Sequence, residues 1–242
     1  MIAGAVLAAF VQGLSGFAYS LAAMSVWAWT LEPQLAAVLA VFGSLVGQVI
    51  AAVTVRRGFS WRKLAPFLAG GLAGLPLGLY IVPRIDMPSF KGLLGLALVV
   101  LCPLMFFSSR LPKFRGSALG DGVAGAIGGV MGGISGSTGV VPTLWCTLCG
   151  YDKDTLRTLM QNFNLALLAI TFAGYLASGL VTRPMLPLLA IMVPVMLIPS
   201  LVGARLYVGI SPDAFRKLVL GLLTASGIAL LASALPELWA RW

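Results

Sequence analysis

One short pattern occurs twice in the sequence. Gly133-Ile134-Ser135-Gly136 lies within a run of glycine, serine and threonine from Gly132 to Gly139, and an earlier copy reads Gln12-Gly13-Leu14-Ser15-Gly16-Phe17, 120 residues before it. A Gly-x-Ser-Gly pattern serves two chemistries. Its serine is the nucleophile of some intramembrane proteases, but that role needs a general base. The chain has no histidine, and each lysine falls at the end of an apolar block. No Ser-His or Ser-Lys dyad can form at depth, so an enzyme is not expected. The second chemistry is anion binding. Glycine lets the backbone leave the helical path and present its N–H groups, while serine and threonine add hydroxyl donors that carry no charge. A helix start adds roughly half a positive charge directed at the same point.

Other polar residues inside apolar stretches extend this candidate site. Gln48, Gln161, Asn162 and Asn164 are neutral amides, suited either to holding oxygen atoms or to bonding between helices. The expected binding set is Gln12, Ser15, Gly16, Gln48, Ser135, Gly136, Ser137, Thr138, Asn162 and Asn164. No carboxylate lies at the centre of a block: Glu32, Asp86, Asp152, Asp154 and Asp213 fall in loops and Asp121 near a block start. Proton coupling through a buried acid is therefore not expected. Cys146-Thr147-Leu148-Cys149 is one isolated CxxC with no second pair of ligands, so neither a metal nor a cofactor is expected.

The elements that must position these residues are apolar helices. Of the 242 residues 60% are hydrophobic and 10% charged, against about 25% charged in a soluble domain. Apolar blocks run over 1–30, 33–55, 63–83, 90–108, 118–150, 155–178, 184–207 and 214–235, several matching the ~20 residues that cross a bilayer. The fold expected is an all-α polytopic membrane protein. Its net charge of +9 comes mainly from residues at block ends, where they set orientation, so nucleic acid is not an expected partner. The first basic residue is Arg56, so Met1–Phe10 lacks the positive start of a signal peptide, and the first block is expected to be retained. Trp61, Trp239 and Trp242 sit at block ends as interfacial anchors. Gly70, Gly71, Gly74 and Gly78 read as a surface for close helix approach.

A second recurrence, 87–93 against 212–218, keeps the order of the first and divides the chain into repeats over 1–115 and 116–242. Blocks 1–30 and 118–150 are too long for one straight crossing and are broken at Gly-x-Ser-Gly. If both cross, the halves lie parallel and 9 of the 16 Lys and Arg fall inside. If both fold back as hairpins, three crossings follow each and the halves are inverted, with 12 of the 16 inside. The positive-inside rule favours inverted repeats with re-entrant hairpins, an arrangement used by secondary transporters.

On chain length, the two related halves and the segments Gln12–Tyr19 and Gly132–Pro142, the sequence resembles the TauE/SafE family, also called the toluene sulfonate uptake permeases. The first motif carries a shorter glycine run than many relatives. The resemblance implies transport of sulfur-containing anions (sulfite, sulfoacetate or aromatic sulfonates) across the bacterial inner membrane, in a direction it does not fix. An anion channel and a non-transporting membrane scaffold are the alternatives.

Overall fold

The computed structural model describes residues 1–15, 18–54, 60–108, 113–206 and 212–239, with side chains except at 14–15, 53–54, 153, 204–206, 212–216 and 218. Among the described residues every regular element is a helix. In chain order these are α1 (Ile2–Ser15), α2 (Tyr19–Trp27), α3 (Pro33–Thr54), α4 (Trp61–Ile81), α5 (Met87–Phe107), α6 (Ala118–Ser135), α7 (Val140–Leu148), α8 (Lys153–Ala177), α9 (Leu186–Leu206) and α10 (Pro212–Trp239). Six of them, α3, α4, α5, α8, α9 and α10, are long and apolar enough to cross a membrane.

The other four make two pairs, broken where glycine was expected to break them. α1 has 14 residues and α6 has 18; at 1.5 Å per residue these reach about 21 and 27 Å, short of the ~30 Å hydrocarbon core. Each pair folds back on itself. Trp27, the last residue of α2, returns to the start of α1, where its indole N–H donates to the Met1 carbonyl at 3.0 Å and its ring covers Gly4. In the second pair the Trp145 indole N–H donates to Asp121 Oδ1 at 2.8 Å and covers Gly120, while Pro142 lies over Gly128 and Thr138 over Gly132. In both hairpins a tryptophan of the second arm closes onto the start of the first. Each expected break is thus matched by a polar clasp at the open end of its hairpin.

Packing exchanges the halves. α1 lies on α9 and α6 on α4, so each hairpin leans on the middle span of the opposite half, while α3 pairs with α8 and α5 with α10. The α4–α6 seam is built from glycine: a Cβ on Gly70 would strike the Gly122 carbonyl and one on Gly74 the Ala126 carbonyl, while Gly125 and Gly129 of α6 abut the Phe67 and Gly71 carbonyls in return. Small residues at every fourth position let two backbones touch, the main source of helix affinity where lipid is as apolar as leucine. The tight-packing role expected of Gly70, Gly71, Gly74 and Gly78 is what they perform.

Exposed leucines and isoleucines on α4, α5, α9 and α10, among them Leu77, Leu96, Ile198 and Leu222, face outward, as lipid-facing positions must. Trp61 and Trp239 are exposed at helix ends; Trp242 lies outside the described residues. Two basic residues rest on aromatic rings, with the Arg84 guanidinium 3.8 Å from the centre of the Tyr80 ring and Lys91 5.2 Å from that of Trp29. Between the second hairpin and α8, Asp152 caps the helix by accepting from the Thr155 N–H at 2.9 Å, and bonds with Thr155 hold its carboxyl below the usual carboxylate range.

Candidate functional site

The second hairpin turns at Gly136, which has φ +74° and closes α6 by donating its N–H to the Gly132 carbonyl at 2.8 Å. Only glycine enters that left-handed region without strain, and here the space is closed as well: a Cβ would sit 3.1 Å from Val41 Cα on α3. Gly136→Ala is accordingly expected to lower stability by about 1–2 kcal/mol, measured as a shift of the unfolding midpoint in detergent.

Breaking a helix orphans carbonyls on one side of the break and amides on the other. The two sides are treated differently here. The Gly133 carbonyl accepts from Tyr175 Oη at 2.6 Å, the Met131 carbonyl accepts from Ser135 Oγ at 3.1 Å, and Gly132 is capped by Gly136 as above. On the amide side, the N–H groups of Ser137, Thr138 and Gly139 meet no acceptor among the described residues, and Gly139 begins α7 without a side-chain cap. The break is left with free donors on this side, and the Ile134 and Ser135 carbonyls likewise meet no donor among the described residues.

Its side chains join the two hairpins. Ser137 Oγ lies 3.0 Å from Ser20 Oγ at the start of α2 and 3.0 Å from Ser135 Oγ, all three buried. A hydroxyl has one proton, so this chain runs in one of two senses. With Ser135 donating to Met131, every proton is spent. With Ser135 donating to Ser137 and Ser137 to Ser20, the Ser20 proton is free for a guest. Thr138 Oγ1 donates to Asn164 Oδ1 at 2.9 Å, and the Asn164 carboxamide rests on Gly139.

The free side-chain capacity lies chiefly on the first hairpin and α3. Gln12 Oε1, Tyr19 Oη and Ser44 Oγ are buried with no partner. Tyr19 packs on Gly43 and the Gln12 carboxamide on Gly47, one turn further along α3, with Ser44 between them in the chain. Thr143 Oγ1, one turn into α7, is another buried hydroxyl without a partner.

Of the expected set, Ser135, Gly136, Ser137, Thr138 and Asn164 come together at the second break. Gln12 is buried with its carboxamide against Gly47 of α3, and Gln48 is buried on the same helix. Asn162 is half-buried and lines a separate cleft of about 320 Å³ with Lys63, Asp154 and Thr155. Ser15 ends α1, but its side chain, like Gly16 altogether, lies outside the described residues. Sequence reasoning missed Ser20, Ser44 and Tyr175, and left Tyr19 out of the binding set in favour of lipid or helix contact. One signal pointed to Ser44: the 120-residue offset between the repeats carries Asn164 onto it.

Six crossing helices around two broken hairpins, with neutral donors buried where the hairpins meet, define a multi-pass membrane transporter. The sulfite exporter TauE/SafE family matches residues 1–230, and the chain belongs to that family. Its members are transporters of sulfur oxyanions such as sulfite. No match to the chain was found among curated proteins or among solved structures.

Proposed function

We propose that the chain carries a sulfur oxyanion, sulfite or an organosulfonate, across the bacterial inner membrane by alternating access around the two hairpins. The observation that carries this reading is the set of buried donors without acceptors. Tyr19 and Ser44 offer hydroxyls, Ser137 to Gly139 offer amides, and a half-turn of the Gln12 carboxamide presents its Nε2. A cluster of neutral donors suits an anion whose charge is spread over three oxygens, and it avoids the cost of burying a fixed cation beside the bilayer core. Gly136, Thr138 and Asn164 shape the second turn, while Ser15, Gly16 and Gln48 join the binding set on the sequence pattern alone. Asn162, with Lys63 in the outer cleft, meets the anion on its way in.

The test is a binding and exchange series on purified protein. Sulfite, sulfate, sulfoacetate and toluene sulfonate are compared by thermal shift and calorimetry, and a labelled binder is then followed in liposomes. Counterflow of label against a gradient of unlabelled anion is expected of a carrier; saturation-free current without counterflow would replace it with a channel.

The same reading makes the halves inverted, because a hairpin that folds back leaves three crossings in each half. The 12-to-4 distribution of basic residues supports this orientation. A single cysteine at Thr182, in the link between α8 and α9, is then expected to react with impermeant reagents from the periplasmic face. Modification from the cytoplasmic face alone would refute the inversion.

A further inference from the structure

Gln12 Oε1, Tyr19 Oη and Ser44 Oγ have no partner, and their residues are no more than 5% exposed. All three atoms are oxygens, set along one stretch of α3. Tyr19 Oη lies 2.5 Å from where a Cβ of Gly43 would stand, and Gln12 Oε1 2.6 Å from where one of Gly47 would stand. Those positions are one turn apart on one face, about 5–6 Å from each other, and Ser44 lies between them in the chain. Three residues before Ser44, Val41 meets the tip of the second hairpin at Gly136. Tyr19 is also the chain neighbour of Ser20, whose hydroxyl is 3.0 Å from Ser137 Oγ. The oxygens thus flank the second break, where α6 ends with the Ile134 and Ser135 carbonyls meeting no donor among the described residues.

Free acceptors ask for a different guest from free amides. Gln12 Oε1 and the two carbonyls have no proton to give an anion, and a hydroxyl that donates its proton keeps its lone pairs. Neutral oxygens suit a small, hard, monovalent cation. A divalent ion is commonly held through carboxylates, and no group of three or more His, Cys, Asp or Glu occurs among the described residues. The end of a broken half-helix adds carbonyls carrying about half a negative charge, the means by which such helices hold sodium in other transporters. An anion alone among neutral donors also leaves a net charge beside the bilayer core, which a neighbouring cation cancels. We propose that Gln12 Oε1, Tyr19 Oη, Ser44 Oγ and the free carbonyls at the end of α6 form a sodium site, and that the ion travels with the anion as cargo. The coupling rests on the transport reading above; the site does not. Ordered water is the competing occupant of these oxygens.

The test melts purified protein without anion in sodium, potassium and choline chloride at one ionic strength, then measures sulfite affinity in the same salts. Sodium is expected to raise the melting temperature above both other salts and sulfite affinity about tenfold, and sulfite must tighten sodium binding by the same factor. Ser44→Ala is expected to bring the ratio of sulfite affinities in sodium and choline close to one. Gln12→Glu puts a carboxylate of the same shape in place of the amide, and is expected to lower the half-saturating sodium concentration about tenfold, a gain that a packing role would not produce. The alanine readout stands if the glutamate variant does not fold. Melting temperatures and sulfite affinities that are the same in all three salts would overturn this inference alone and leave the oxygens to water. So would a sodium effect unchanged in both variants, which would put the ion elsewhere. If no anion binds in any salt, the transport reading falls and the coupling with it, while the melting series still decides the sodium site.

Discussion

Tyr19→Phe combined with Ser44→Ala is expected to weaken anion binding by one to two orders of magnitude while leaving the empty protein at least as stable as its parent. The two halves of this expectation have one cause. Both hydroxyls are buried without a partner, and an unmet buried polar group costs about 1–3 kcal/mol. Phenylalanine and alanine remove that cost and alter the packing volume little, so the melting temperature without ligand is expected to stay level or rise. A hydrogen bond to a charged group contributes about 1.5–3 kcal/mol; losing even one of two such bonds brings a tenfold loss, and losing both approaches a hundredfold. Calorimetry with the best-binding sulfur oxyanion and a melting curve without ligand give the two numbers independently. A destabilised protein with unchanged affinity would show that these hydroxyls serve packing alone. Ser137→Ala is not expected to show this split, because its hydroxyl is already bonded to Ser20 and Ser135, so its removal strands buried partners.

That contrast marks how far the candidate site was legible. The apolar blocks, their number and the positions of both breaks follow from length, hydropathy and the repeated Gly-x-Ser-Gly, because a helix too long for the bilayer must bend or break, and glycine marks where. Residue type also placed Ser135, Ser137, Thr138 and Asn164 at one break. Whether their donors are free depends on which neighbours the fold supplies, and that is not written locally. Ser137 and Thr138 read as the richer cradle, yet their hydroxyls are engaged with Ser20 and Asn164. Unpartnered hydroxyls sit instead on Tyr19, Ser44 and Thr143, which no local motif distinguishes, while Gln12, expected from the sequence, does keep an unpartnered oxygen. Asn162 and Asn164 are two positions apart on one helix and so face different directions, one to the outer cleft and one to the break. Hydropathy is equally silent on which helices touch. Lipid-facing and core-facing surfaces are both apolar, so the pairings of α1 with α9 and α6 with α4 leave little trace in composition except the glycine spacing of the second pair.

That spacing supports the other large effect. Gly74→Leu or Gly129→Leu is expected to abolish recovery of folded protein, and even alanine at either position to be severely destabilising. A Cβ on Gly74 overlaps the Ala126 carbonyl and one on Gly129 overlaps the Gly71 carbonyl. Neither obstacle is a side chain that can rotate away, so the two helices must part. Overpacking of an ordinary core costs about 1–3 kcal/mol where side chains can shift; a seam of backbone against backbone has no such relief, and parting it forfeits contact along most of α6. Against a total stability of about 5–15 kcal/mol, that loss is decisive. Gly122→Ala supplies the control. It lies on the same helix, but the nearest atom to its added Cβ is the Pro66 carbonyl at 3.8 Å, an ordinary contact. Alanine there is expected to be neutral or to stabilise by up to about 1 kcal/mol through helix propensity. Size-exclusion profiles of detergent extracts, read beside melting temperatures, separate the cases: a folded peak for Gly122→Ala and none for Gly129→Leu. A folded Gly129→Leu protein would mean that α6 is not held against α4. The second break would then lose the support that keeps Gly136 on α3 and Ser137 beside Ser20, and the anion site would lack one of its two walls.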